Sequence, residues 1–142
     1  MSAWPDVKEL VFVSCTGTGA TLTGVARSLR KAGYDVRVIL VEPEGCDSQN
    51  GVFVNHRLEG MAVGVRPPFV DWTTVSAVRR VSYDDVVECQ REFARSHGHF
   101  VGNTAAACLC VGAQMAKAGD ATKILVLLYD HGLWYFSLTS RR

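Results

Sequence analysis

The sequence has no basic run or stripe, no C-x-x-C pair and no apolar stretch long enough to cross a bilayer. Each absence removes a class of function. Fifteen basic side chains stand against 14 acidic ones, a formal net charge of +1, and no cationic cluster forms the footprint a nucleic-acid partner needs. The five cysteines (Cys15, Cys46, Cys89, Cys108, Cys110) are odd in number and lack metal-ligand spacing. With no cationic leader ahead of an apolar stretch, they read as reduced thiols of a cytoplasmic protein. The longest apolar run, residues 124–129, is far too short for a membrane span, so no membrane partner is expected.

What is present is globular. Hydrophobic residues make up 48% and charged residues 20% of the 142 positions, enough for a buried core and too apolar for disorder. Residues 10–14 form a short valine- and phenylalanine-containing run bounded by turn residues, the pattern of a buried strand. Residues 21–32 place Leu22, Val25, Ala26 and Leu29 on one helical face, with Gly33 as the stop. Residues 36–41 are a second buried strand. Strand, glycine loop, helix and strand make a βαβ unit with parallel pairing. Residues 42–68 are irregular, rich in glycine and proline, and a loop of that length is usually functional or covers a neighbour. A short strand over 78–81 follows. Ser82 then caps a helix reaching about His97 and stopped by Gly98. An unusually small and apolar helix over 104–117, a strand over 124–128 and a tail from Gly132 complete the chain, with no repeat or linker. The expectation is one α/β unit over residues 1–142.

The loop Cys15-Thr16-Gly17-Thr18-Gly19-Ala20-Thr21-Leu22-Thr23-Gly24 carries the chemistry. Its glycines allow a tight turn and close approach to an anion, and N–H groups at a helix start hold negative charge without a lysine. Thr18, Thr21 and Thr23 offer neutral donors. Three readings compete. One is a plain strand-to-helix turn. A dinucleotide fingerprint fits less well, because Leu22 stands where the third glycine belongs, although Glu42 ends the second strand where a ribose-binding acid would lie. The third is a phosphate cradle of another kind.

The third reading gains from a resemblance. G-T-G-A-T-L-T-G-V-A-R-S-L, followed by V-I-L-V-E-P-E-G, resembles the cysteine synthase and cystathionine β-synthase family of fold type II pyridoxal-phosphate enzymes. Three more segments follow in the family's order. Asn55-His56-Arg57-Leu58-Glu59-Gly60-Met61-Ala62-Val63-Gly64 is similar to its P-H-K-I-Q-G-I-G-A-G. Phe100-Val101-Gly102-Asn103-Thr104-Ala105-Ala106-Ala107 is similar to its L-V-G-x-S-S-G-A. Asp130-His131-Gly132-Leu133-Trp134-Tyr135 is similar to its D-S-G-E-R-Y. The likeness spans roughly residues 8–139 and is confined to the family's C-terminal half. It implies a three-layer parallel sheet with helices on both faces, as in the C-terminal part of that family's large domain. It also implies pyridoxal 5'-phosphate as cofactor.

Carried over by position, Gly17, Thr18, Gly19, Ala20 and Thr21 cradle the cofactor phosphate, with Ala20 replacing a glycine. Thr104 falls where the family places a serine hydroxyl beside the pyridine nitrogen, a neutral partner that makes the ring a milder electron sink. A helix cap, formed by Thr104 or Asn103, is the alternative for that hydroxyl. The family's Schiff-base lysine lies in its N-terminal half, and none of Lys8, Lys31, Lys117 or Lys123 sits in a matching motif. No catalytic residue is therefore assigned to this chain.

The implied function is one subunit of a split enzyme catalysing β-replacement or β-elimination on a serine- or cysteine-type amino acid. A companion resembling the N-terminal half would supply the lysine. The rivals are a degenerate, non-catalytic subunit that stabilises or regulates a partner, and a small NAD(P)-binding module. His131 and His56 read as acid–base groups or, more simply, as hydrogen-bonded loop residues. The apolar helix 104–117 is expected to be hard to cover within this chain and so to need a partner.

Overall fold

The computed structural model describes residues 7–121 and 123–135. Four parallel strands, β1 (Glu9–Cys15), β2 (Asp35–Pro43), β3 (Val75–Val81) and β4 (Ile124–Val126), form one sheet in the order β3-β2-β1-β4. Between them run α1 (Ala20–Lys31), α2 (Tyr83–His97) and α3 (Asn103–Lys117).

β1 and β2 are buried on both faces, which is why they read as continuous apolar runs. Phe12, Val36, Val38 and Leu40 pack on one side against Leu22 and Ala26 of α1. Val11, Val13, Ile39 and Val41 point the other way, against Val86 of α2 and Ala105, Cys108 and Val111 of α3. The chain passes from β1 to β2 in one direction and from β3 to β4 in the other. Right-handed crossovers then require α1 on one face and the α2–α3 pair on the opposite face. The expected three-layer arrangement is thus the observed one.

Several ends of the expected elements differ, among them that of β2, which runs two residues further than expected, to Pro43. β3 begins at Val75, three residues earlier than the expected 78, directly after a 3-10 turn over Trp72–Thr74 whose cap is the Asp71 carboxylate. Its first residues carry no apolar run because β3 is an edge strand, and Ser76 accepts the Val38 N–H (3.1 Å) where the β2–β3 register slips. β4 ends at Val126, not at residue 128, as Leu127 and Leu128 leave the ladder. The α2 boundaries are as expected. Ser82 Oγ accepts from the Asp85 N–H (3.1 Å), and Gly98 closes the helix in the left-handed conformation at φ 72°. The expected tail over 136–142 lies outside the described residues.

Most of α3 is covered within the chain, which was expected to be hard. Ala105, Ala106, Ala107 and Cys108 are fully buried. Only its outer edge remains open, where Leu109, Ala113 and Ala116 join Phe93, Ile124 and Val126 around a groove of about 380 Å³ beside β4. Among the described residues no helix is long and apolar enough to cross a membrane.

Candidate functional site

The sheet order sets where a site can form. β1 leads to β2 on one side and pairs with β4 on the other, so the crevice beyond the carboxyl ends of β1 and β4 is the topological switch point, where open α/β sheets bind ligands. A cavity of about 220 Å³ lies there. Cys15, the last residue of β1, lies at its base, the glycine loop that follows lines it with Thr16, Gly17, Thr18, Gly19 and Thr21, and the opposite wall includes Thr104, Tyr129, Asp130 and Tyr135. Gly17, Thr18, Gly19, Thr21 and Thr104, far apart in sequence, therefore meet in one place. Ala20 is exposed and does not line the cavity.

Gly19 is the pivot. It caps α1 with φ 90° and has no side chain to offer, and no acidic residue stands in the first turn. That helix start is electrostatically open. The contrast is α2, whose start is filled by Ser82, Asp84 and Asp85. A helix N-terminus with bare N–H groups attracts an anion. The loop is held from two sides. The Ala62 N–H donates to Thr16 O (3.1 Å) and the Phe69 N–H to Thr18 O (3.0 Å). Thr23 does not serve the cradle as a donor. Its hydroxyl donates to Phe69 O (2.7 Å) and accepts from the Asp71 N–H (3.0 Å), tying the 69–71 segment to α1.

Thr104 sits in the first turn of α3, whose cap is Gly102 with no side-chain bond, so neither Thr104 nor Asn103 is a cap. Thr104 is buried, and its hydroxyl makes no hydrogen bond among the described residues. The hydroxyl is not among the buried unpaired atoms, so it is open to the cavity that Thr104 lines, where a polar ring atom would complete it. Gly60, at φ 89°, packs against the Thr104 methyl group, where an added Cβ would lie 3.0 Å away. Ala62, which replaces a glycine in the resemblance, holds the left-handed φ of 47° that glycine adopts without strain.

Sequence reasoning passed over the far wall. Tyr129 shares a 2.6 Å hydrogen bond with Ser14 Oγ. The Tyr135 hydroxyl donates to Asp130 Oδ2 (2.6 Å), while Asp130 Oδ1 is buried without a partner among the described residues. The retained first and last residues of the Asp130–Tyr135 segment were the available signal. The hydrogen bond to Asp130, then burial, then the carboxylate's charge push the Tyr135 phenol up to about 12. Because the folded value is raised, this pair stabilises the fold below the phenol's ordinary value of about 10, and the benefit is lost as pH rises through about 12. Asp130→Asn is expected to bring the Tyr135 titration back toward about 10 in a phenolate absorbance titration. An unchanged late transition would contradict the pairing.

The histidines and Glu42 lie elsewhere. His131 Nδ1 accepts from the Leu133 N–H (3.2 Å) and His56 Nδ1 from the Leu58 N–H (3.2 Å), so both brace loops. Glu42 is buried, with Oε1 accepting from the Ser48 N–H (2.9 Å) and Oε2 lying 3.8 Å from Arg80 Nη2. That carboxylate holds the loop after β2 and is not among the cavity's lining residues, which removes the ribose-binding acid of the dinucleotide reading. Lys8, Lys31, Lys117 and Lys123 are all exposed, and none lines the cavity.

The comparison with known proteins agrees with this geometry. The family model described as "Pyridoxal-phosphate dependent enzyme" matches residues 3–130. This chain belongs to that family. A cysteine synthase of Staphylococcus aureus (strain Mu50 / ATCC 700699) is 27% identical over 128 residues, which cover 89% of this chain and 41% of the relative. The crystal structure of an O-ureido-L-serine synthase superposes with a TM-score of 0.84 at 27% identity, over 99% of this chain and 45% of that one. An O-acetylserine dependent cystathionine β-synthase from Helicobacter pylori gives a TM-score of 0.72 at 26% identity, over 93% and 43%. The chain thus spans less than half the length of these relatives.

The residues present fit the family's cofactor. A helix start with a left-handed glycine as its cap and no acidic residue in its first turn suits a phosphate, and the unpaired Thr104 hydroxyl on the facing wall suits a ring nitrogen.

Proposed function

We propose that this chain is the phosphate-cradling half of a split pyridoxal-phosphate enzyme acting by β-replacement or β-elimination on a serine- or cysteine-type amino acid. The observation that supports it most is the joint placement of Gly17, Thr18, Gly19, Thr21 and Thr104 around one cavity from which every lysine of the chain is absent. When bound, the cofactor supplies an electron sink that makes the substrate's α-hydrogen acidic. This chain's residues hold and orient it. Backbone N–H groups at the start of α1 bind the phosphate, the hydroxyls of Thr18 and Thr21 add donors, and Thr104 meets the ring nitrogen with a neutral group. Tyr129, Asp130 and Tyr135 close the far side. The lysine and the grip on the substrate carboxylate come from a companion chain resembling the family's N-terminal half.

Surface chemistry supports the need for that companion. Val52, Phe53, Val63, Val65 and Phe69 on the irregular segment are exposed, as is Trp134 beyond β4. β4 pairs only with β1 among the described residues, which leaves one strand edge free. A second reading, a non-catalytic stabilising subunit, draws on Ala62, where an alanine holds a glycine conformation at φ 47°.

The test is co-expression with a lysine-bearing companion. The pair is expected to retain pyridoxal phosphate through dialysis and to turn over substrate, whereas this chain alone is inactive. A Cβ at Gly17 meets only Gly60 O at 3.7 Å, so Gly17→Asp places a carboxylate at the cradle without a clash. It is expected to weaken cofactor retention by about tenfold or more. Thr104→Val keeps the shape, spares retention and lowers turnover. Retention and turnover untouched by both substitutions would overturn the proposal. Retention without turnover in the unsubstituted pair would favour the second reading.

A further inference from the structure

Beneath the cradle two sulfurs touch. Cys15 ends β1 immediately before the glycine loop, and Cys108 lies in α3, one turn beyond Thr104. Their Sγ atoms are 3.5 Å apart, and Cys15 Sγ–H also donates to Thr104 O (3.5 Å). Both residues are buried, but they are not equivalent. Cys15 lines the cavity, whereas Cys108 is fully enclosed behind it. The Tyr129 hydroxyl stands beside Cys108 and also reaches Ser14. Neither cysteine belongs to the cradle or to the facing wall in the proposed function.

We propose that Cys15 and Cys108 are a dithiol modification site, which a small hydroperoxide entering the cavity closes into a disulfide. A disulfide needs about 2.05 Å between sulfurs, so the pair, already in contact at 3.5 Å, must close by ~1.5 Å. The order of events follows from access. The Cys15 sulfur attacks the terminal oxygen of the hydroperoxide, the O–O bond breaks, and the alcohol (water, for hydrogen peroxide) departs. Cys15 is left as a sulfenic acid, oxidised by two electrons. The Cys108 sulfur then attacks the Cys15 sulfur, the S–O bond breaks, and hydroxide leaves as water with the Cys108 proton. Two thiols and one hydroperoxide become one disulfide, one alcohol and one water. The hydrogen bond to Cys15 and then burial push the Cys108 thiol up, so enclosure and contact with Cys15, not thiolate character, assign it the second step.

The consequence rests on the proposed function. A cofactor seated in the cavity stands between solvent and Cys15, so an occupied site is shielded and an empty one is oxidised.

The experiment treats the reduced full-length chain with hydrogen peroxide, alkylates it under denaturing conditions and maps the peptides. The expected result is a linked peptide pair carrying residues 15 and 108, two hydrogen masses lighter than the thiol peptides and released by dithiothreitol. In Cys108→Ala, Cys15 is expected to persist as a sulfenic acid trapped by dimedone. In Cys15→Ala, Cys108 is expected to remain an alkylatable thiol. A link between Cys89 and Cys110 in place of this one would overturn the proposal. So would oxidation of Cys15 to a sulfinic acid while Cys108 stays free in the unsubstituted chain. The unsubstituted map needs no variant to fold. Repeating the oxidation on the chain paired with its lysine-bearing companion, with and without pyridoxal phosphate, separates the two readings. Slower linkage supports both. Linkage at an unchanged rate supports the dithiol and counts against the cofactor site.

Discussion

Gly19→Ala is expected to destabilise the fold by about 2–4 kcal/mol and to abolish cofactor binding. Two effects add. The left-handed φ of 90° costs a side-chain-bearing residue about 1–2 kcal/mol. The new Cβ would also overlap Val70 Cγ2, lying 2.7 Å from the Val70 backbone N and 3.2 Å from the Phe69 carbonyl carbon. Overpacking of this kind adds about 1–3 kcal/mol, because the obstacle is partly backbone and cannot rotate away. The loss of unfolded-chain entropy works in the other direction but is worth only about 0.4–1 kcal/mol. Binding is lost because moving Val70 carries Phe69 with it, and the Phe69 N–H is what holds Thr18 O. Gly24→Ala is the internal control. It lies inside α1 with nothing within 4 Å of an added Cβ, so it should stabilise by up to about 1 kcal/mol. Denaturant melts of the two variants and pyridoxal-phosphate titration check the pair. Equal stability of the two variants would sink the argument.

Gly102→Ala is expected to cost about 2–3 kcal/mol and to dismantle the far wall of the cavity. Its φ of −70° is ordinary, so the reason is space alone. An added Cβ would overlap Asp130 Oδ1, lying 2.7 Å from Asp130 Cγ and 3.0 Å from Tyr135 Cε2. The carboxylate has to move, and its bond to the Tyr135 hydroxyl goes with it. The backbone link from the Gly102 N–H to Asp130 O (3.0 Å) strains at the same point. Tyr135 should then titrate nearer its ordinary value of about 10, as in Asp130→Asn, but with a loss of stability that Asp130→Asn lacks. A stable Gly102→Ala whose Tyr135 still titrates late would show that the wall does not depend on this contact.

The layered fold was legible in the chain because its central strands and amphipathic helices each carry a local signature. Val11, Phe12 and Val13 read as a buried strand because β1 is covered on both faces. Edge elements gave weaker signals. β3 begins at Val75-Ser76-Ala77, a partly exposed stretch with no apolar run, so its start leaves no local signature. The same distinction holds at the site. Gly17, Thr18, Gly19 and Thr21 are contiguous and announce themselves. Tyr129, Asp130 and Tyr135 follow a three-residue strand and join the cavity only through the pairing of β4 with β1. Thr23 looked like part of the cradle, yet its hydroxyl is engaged by Phe69 and Asp71, residues more than forty positions away.

By itself the sequence determined the βαβ order, the glycine-threonine loop, the family resemblance and the lack of a lysine in any matching motif. These depend on neighbours along the chain, where φ preferences, helix stops and apolar periodicity act directly. Only the tertiary structure decided that Thr104 faces the cradle, that Glu42 is turned away into loop bracing, and that Cys15 and Cys108 share one pocket of the core. Those outcomes depend on which strands lie side by side and which helix covers them. Parallel strands are joined by long crossovers, so the residues that meet at their carboxyl ends are far apart in sequence, and no local pattern records their meeting.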